Sequence, residues 1–234
     1  MTRRRWIADE VEGERAALVG AHASHLARVL RARVGQEFDI AAGGEVRRGL
    51  VLSVSDERVD FELGERVETA EQASLILLLA IFKFDRFEWA VEKCTELGVS
   101  AIVPVIARRT DSHLAKAAEK RVERWRKISR EAAEQSRRVS PPEIAEPLRL
   151  KQALAPEAEL RIVLSEVEDG TTLRDLVDGG GARTFALAIG PEGGWTEEEL
   201  KMFADASWKS ASLGDTILRA ETAAIAATAL VRSW

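Results

Sequence analysis

One cysteine and three histidines set the first limits on this chain of 234 residues. With Cys94 alone, neither an intramolecular disulfide nor a cysteine metal cage can form. His22, His25 and His113 are scattered without a ligand spacing, so no metal is expected. No apolar run reaches membrane-spanning length; LILLLAIF at 75–82 is too short and reads as a buried strand. The opening MTRRRWIADE has charge but no apolar core or small-residue cleavage site, so a secretory signal is not expected. Internal repeats and low-complexity linkers are lacking too. These absences point to a soluble cytoplasmic protein that makes no use of a membrane. The net charge of −5 argues against indiscriminate nucleic-acid binding, but 34 Lys and Arg residues leave room for local basic patches.

What is present is an ordinary globular composition, 46% hydrophobic and 31% charged, enough for a real core. Up to about residue 72 the texture is mainly β. GQEFDIAAGGEVRRGLVLSV carries a hairpin signal at Gly43-Gly44, and RVDFEL is a further strand. HASHLARVLRARVG is expected as a short helix with Leu26, Val29 and Leu30 on one face and Gly35 ending it.

From residue 74, strands and helices alternate. SLILLLAI is a strand, and Asp85 with Glu88 is expected to cap the helix after it. Phe87, Val91, Cys94 and Leu97 give that helix its apolar face, which makes Cys94 a small buried hydrophobe. AIVPVI is the next strand. A long helix is expected over 116–137, with Val122, Trp125 and Ile128 inward and the pairs Glu123–Lys127 and Arg130–Glu134 in solvent. RIVLSE, FALAIG and SWKSASLG are strands, with helices starting near Thr171 and Thr196 and a last helix over 219–232. Apolar strands between helices imply a parallel sheet covered on both faces.

GPEGGW directly follows the strand FALAI, where a parallel sheet binds ligands. The spacing is neither the dinucleotide nor the P-loop pattern, which disfavours NAD and ATP. The bland alternative is a tight turn. A second loop, SLGDTILRAETAA, places Gly214, Arg219, Glu221 and Thr222 near the same sheet edge, and Glu166 ends a third strand there. For Arg219 and Glu221 the bland alternative is a helix-start ion pair.

The stretches HLARVLRARVGQ, DRFEWAVEKCTELGVSAIVPV, RWRKISREAAEQSRR, IGPEGGWTEEEL and LGDTILRAETAAIAA occur in this order and cover most of the chain. Together they resemble the SPOUT-class RNA methyltransferases, specifically the RsmE family. The resemblance implies a small PUA-like β-barrel RNA-binding domain over 1–72. It implies a SPOUT-type α/β domain over 73–234 whose C-terminal trefoil knot forms the cofactor site. It further implies a homodimer, S-adenosylmethionine as methyl donor, and methylation of a uridine N3 in the decoding region of 16S ribosomal RNA, free or in the small subunit.

On that reading the backbone of Gly190, Pro191, Glu192, Gly193 and Gly194, and of Leu213 to Leu218, holds the cofactor. Leu164, Ile189, Leu213 and Ile217 flank the adenine. Arg219 is the candidate for stabilising charge on the base or phosphate. Glu192 is a weaker candidate for proton removal, its bland alternative being a carboxylate favoured by a helix dipole. RNA contacts are expected from Arg3, Arg4, Arg5, His25, Arg28 and Arg31, from Arg108 and Arg109, and from Arg137 and Arg138. Two alternatives stay open: a non-catalytic RNA-binding assembly factor, and a sister enzyme acting on ribose 2′-O or guanine N1.

Overall fold

Short strands and glycine turns build a curled six-stranded sheet at the start of the chain. Its strands are β1 (Arg5–Ile7), β2 (Glu10–Glu12), β3 (Arg15–Val19), β4 (Glu37–Ala42), β5 (Glu45–Val54) and β6 (Arg58–Arg66), in the order β1-β4-β5-β6-β3-β2. Gly43 and Gly44, with φ of +58° and +84°, form the two-residue turn between β4 and β5. Register shifts in the β5–β6 ladder bend the sheet. Gly49 sits in this bend, where a Cβ would collide with the Ile40 side chain. The concave side encloses Leu18, Leu26, Ile40, Val51, Val59 and Phe61. The result is a half-barrel.

The computed structural model describes residues 5–68, 73–179 and 181–233. The chain divides into two compact units, Met1–Glu71 with Ala133–Pro141, and Gln72–Ala132 with Pro142–Trp234. In the first unit the expected helix exists but differs in detail. α1 (Ala21–Ser24) runs into a π-helical stretch, His25–Val29. The wider winding turns Val29 outward, 64% exposed, while Leu26 is buried. The helix stops at Leu30 rather than at Gly35. Arg31 takes φ +52°, and the Ala32 N–H closes onto the Leu26 carbonyl at 3.1 Å, a left-handed C-terminal cap. The segment 133–141 belongs to this unit because Ala133 packs against Ile7 and Ala41. It is held there by polar bonds as well: Arg5 Nη1 donates to the Arg137 carbonyl at 2.6 Å.

The second unit contains β7 (Ser74–Ala80), α2 (Phe84–Glu96), β8 (Ala101–Ile106), α3 (Ser112–Ala117), α4 (Val122–Gln135), β9 (Glu143–Ile144) and β10 (Leu148–Arg149). It continues with α5 (Leu150–Ala153), β11 (Leu160–Leu164), α6 (Leu173–Asp178), β12 (Thr184–Ile189), α7 (Glu197–Asp205), β13 (Lys209–Ala211) and α8 (Ala220–Arg232). The last turn of α4 is the part counted with the first unit. The sheet order is β10-β8-β7-β12-β11-β13, with β9 beside β8, and every pair is parallel. Alternate residues of β7 enter two cores: Leu75, Leu77 and Leu79 on one face, Leu78 and Ala80 on the other. Both faces are covered, as the unbroken apolar strands require. Among the described residues no helix is long and apolar enough to cross a membrane.

Two helical expectations are corrected. Asp85 does not cap α2; Lys83 is the N-cap residue and makes no side-chain cap bond. Glu88 turns instead to Arg124 at 2.8 Å and Arg121 at 3.3 Å. The single long helix over 116–137 is broken, because Asp111 caps α3 early and a 3-10 turn at Glu119–Arg121 separates α3 from α4. Val122 and Trp125 are buried as expected, with Ile128 partly so. Glu123 pairs with Arg126 at 2.6 Å rather than with Lys127, since Arg126 is fixed by the Ile144 carbonyl and Glu146.

Candidate functional site

Three neighbouring parallel strands, β12, β11 and β13, end at one edge of the sheet, and the loops that follow them enclose a cavity of about 380 Å³. Open parallel sheets bind ligands at this edge. Of the residues expected to hold a ligand, Leu164, Glu166, Ile189, Gly190, Pro191, Glu192, Gly194, Leu213, Gly214, Ile217, Leu218 and Arg219 all line it. Gly193, Glu221 and Thr222 do not. Gly193 lies against Arg109, and Thr222 is exposed on α8. Glu221 is buried in the first turn of α8, with Oε1 at 3.7 Å from Arg86 Nε and Oε2 without a hydrogen-bond partner among the described residues.

Each glycine of GPEGG meets a particular neighbour. A Cβ on Gly190 would stand 3.3 Å from the Trp195 indole nitrogen. On Gly193 it would stand 3.3 Å from Arg109 Cδ, and on Gly194 only 2.7 Å from Glu166 Oε1. Gly194 also holds φ +70° and donates its N–H to the Pro191 carbonyl at 2.8 Å, closing a tight turn. Below the loop, Trp195 meets Phe203 edge-on at 5.0 Å, and Phe203 meets Trp208 at 5.1 Å. Thr196 and Glu199 form the expected capping box of α7. Glu199 is 2% exposed and also reaches beyond its own helix, where its Oε1 accepts the Arg108 N–H at 2.8 Å. The loop after β8 thereby joins the site's support.

Asp215 and Thr216, within the expected stretch Leu213 to Leu218, line the cavity too, as does Ser165 at the third strand end. Several lining residues were missed by sequence reasoning. Val167, Trp195 and Ser212 lie beside the recognised loops. Arg86 does not. It reaches the cavity from α2 and pairs with Glu192 at 3.0 Å. It belongs to the DRFEWAV stretch, but an arginine in a helical first turn does not announce its target.

The cavity combines bare backbone, an apolar wall and charged groups. Ile217 is 81% exposed and Val167 74%, two apolar side chains that a ligand would cover. Arg219, the N-cap residue of α8, is exposed and has no ion pair among the described residues. Cys94 is far from nucleophilic: burial pushes its thiol up to about 12, and Thr228 Oγ1 lies 3.5 Å from the sulfur.

The expected RNA-facing residues divide. Arg3 and Arg4 lie outside the described residues. His25 is exposed and lies against Trp6, ring centroids 5.8 Å apart. Arg28 pairs with Asp56 at 2.5 Å. Arg31 and Arg137 are exposed, Arg138 is half-buried, and Arg5 is engaged with the Arg137 carbonyl. Arg108 and Arg109 are both exposed, and the Arg109 guanidinium bonds the Gly193 carbonyl.

The profile of the RNA methyltransferase domain family matches residues 69–232. Ribosomal RNA small subunit methyltransferase E of Aquifex aeolicus is 31% identical over 209 residues, which span 88% of this chain and 90% of that protein. The Neisseria gonorrhoeae protein of the same name, solved bound to S-adenosylmethionine, superposes with a TM-score of 0.84 at 28% identity, covering 99% of this chain and 98% of its own. A Legionella pneumophila methyltransferase in complex with the same cofactor superposes with a TM-score of 0.82 at 27% identity, covering 100% and 98%. The half-barrel followed by a parallel α/β unit is the architecture of these structures. The chain belongs to the ribosomal RNA small subunit methyltransferase E family.

Proposed function

We propose that this chain transfers a methyl group from S-adenosylmethionine to N3 of a uridine in the decoding region of 16S ribosomal RNA, in the cytoplasm. The observation that carries the reading is the cavity, where GPEGG and LGDTILR close over the ends of adjacent strands. Its volume suits a small-molecule cofactor. The residues fit such a molecule: close-packed glycines leave backbone free to meet its polar parts, and Ile217, Val167, Leu164, Ile189 and Leu213 offer apolar faces to its adenine.

When bound, S-adenosylmethionine supplies a methyl group already activated by its sulfonium. The protein's part is to hold the donor, align the uridine and manage charge. Uridine N3 is a poor nucleophile until its proton leaves, so the anion formed needs a cation beside it. Arg219 suits this role because its guanidinium is not committed to a carboxylate among the described residues. Glu192 remains the weaker candidate for accepting the proton, since Arg86 already occupies its carboxylate.

The same reading makes the half-barrel a PUA-like RNA-binding domain, with the first 72 residues as its body. The α/β unit becomes a trefoil-knotted SPOUT domain, and the protein a homodimer. RNA would meet the exposed basic residues of the first unit, Arg28, Arg31 and Arg137 among them.

Calorimetry with S-adenosylmethionine tests the cofactor, and mass-spectrometric mapping of methyluridine in ribosomal RNA from cells lacking the protein tests the reaction. Arg219→Ala is expected to cut turnover by about 10²-fold or more. Unchanged turnover together with unchanged RNA affinity in that variant overturns the assignment. Glu192→Gln that methylates fully at every pH removes Glu192 from proton transfer.

A further inference from the structure

The loop after β8, residues 107–110, is pinned on several sides. Thr110 Oγ1 donates to the Ile81 carbonyl at 3.2 Å and accepts the Ala107 N–H at 3.1 Å. The Arg108 N–H goes to Glu199, whose other oxygen accepts the Thr196 N–H at 3.0 Å. Arg109 is therefore presented from a rigid base.

Its guanidinium Nη1 donates to the Gly193 carbonyl and approaches the Trp195 carbonyl at 3.5 Å. Its aliphatic stem fills the place where a Gly193 side chain would start. Glu166 stands beside the next residue, its Oε1 2.7 Å from where a Gly194 Cβ would lie. The GPEGG turn is thus held by Arg109, with Glu166 packed beside Gly194. Carbonyls taken by a guanidinium fix the tilt of their peptide planes, and with it the direction of the neighbouring amides. Gly190, Pro191, Glu192 and Gly194 line the cavity while Gly193 does not, so the bond falls on the one residue of the turn outside the lining.

We infer that Arg109 is a positioning residue for the cofactor loop rather than an RNA contact, an inference that rests on the cofactor reading above. A single guanidinium nitrogen, Nη1, faces both carbonyls, and the planar group holds it there; a lysine ammonium on its flexible stem is less well fixed.

The test compares wild type with Arg109→Ala, Arg109→Lys and Arg109→Gln. It measures S-adenosylmethionine affinity by calorimetry, the KM and kcat of methylation, RNA affinity across salt, and hydrogen exchange at the amides of Gly190 and of Glu192 to Trp195. Arg109→Ala should weaken cofactor binding about tenfold and raise KM for the cofactor more than it lowers kcat. Exchange at the loop amides should quicken, and RNA affinity and its salt slope should stay as in wild type. Arg109→Lys should recover part of the cofactor affinity. If Arg109→Ala does not fold, Arg109→Gln, too short to bring its amide to the Gly193 carbonyl, carries the same expectations. Unchanged cofactor affinity with unchanged loop exchange overturns the inference. So does a loss of RNA affinity, with the salt slope reduced by about one, while cofactor binding stays intact. If the wild-type chain binds no S-adenosylmethionine, the cofactor reading fails, and exchange at those loop amides alone decides whether Arg109 holds the loop.

Discussion

Arg137 holds φ +59° just past α4, where its own N–H bonds the Glu134 carbonyl at 3.2 Å and the Arg138 N–H bonds that of Ala133 at 2.9 Å. A residue with a Cβ in the left-handed region carries roughly 1 kcal/mol of strain that glycine avoids. Arg137→Gly is therefore expected to raise stability by about 1 kcal/mol, read from the midpoint of urea unfolding. Arg31→Gly should do the same at the end of the first helix. If these side chains hold RNA, both variants bind it more weakly although they are more stable. The opposite holds at Gly194, where a positive φ coincides with a carboxylate 2.7 Å from any Cβ. Gly194→Ala should weaken S-adenosylmethionine binding by at least about tenfold, measured by calorimetry, because strain of about 1–3 kcal/mol falls on the loop itself. Gly194 was legible in the sequence as part of a glycine loop at a strand end. The strain at Arg31 and Arg137 was not, since arginine has no preference that marks a left-handed cap.

At the scale of elements, His22 ties α1 to two neighbours. Its Nδ1 lies 3.0 Å from Asp9 Oδ2, in the loop after β1, and its Nε2 lies 3.1 Å from Glu134 Oε2, at the end of α4. The bond to Glu134, with help from Asp9, raises His22 from 6.5 to about 9 against the effect of burial. The folded state thus favours the imidazolium. Its contribution is full below the unfolded value near 6.5 and fades as pH rises through about 9. Unfolding midpoints of wild type and His22→Gln should differ most near pH 6 and converge above pH 9; a gap independent of pH counts against the bridge. In the other unit, Phe203 sits between Trp195 and Trp208. Phe203→Ala should cost about 3–5 kcal/mol and soften the floor of the glycine loop. Strands β7 and β12 were legible because unbroken apolar runs leave few alternatives. The capping box of α7 was legible because its donor and acceptor are three residues apart. The Asp85 cap failed because Glu88, its expected partner, was claimed by Arg121 and Arg124 from a distant segment.

For the whole molecule, ligand binding should appear as stability. S-adenosylmethionine at a hundred times its dissociation constant should stabilise the fold by about 2.7 kcal/mol, seen as a rise in Tm. With a net charge of −5, RNA affinity must come from local basic groups and should fall steeply with salt; Arg28→Glu with Arg31→Glu should flatten that dependence. The sequence by itself determined the alternation of strands and helices, the parallel sheet, and the glycine loops at strand ends. These depend on periodicity and on neighbours a few residues apart. Tertiary structure alone decided that Arg86 meets Glu192 across 106 residues, that Arg109 grips Gly193 across 84, and that Arg5 bonds Arg137 across 132. Apolar periodicity says which face of an element is buried but not which element buries it. The order β12-β11-β13, which gathers the three loops into one cavity, follows from packing rather than from chain order.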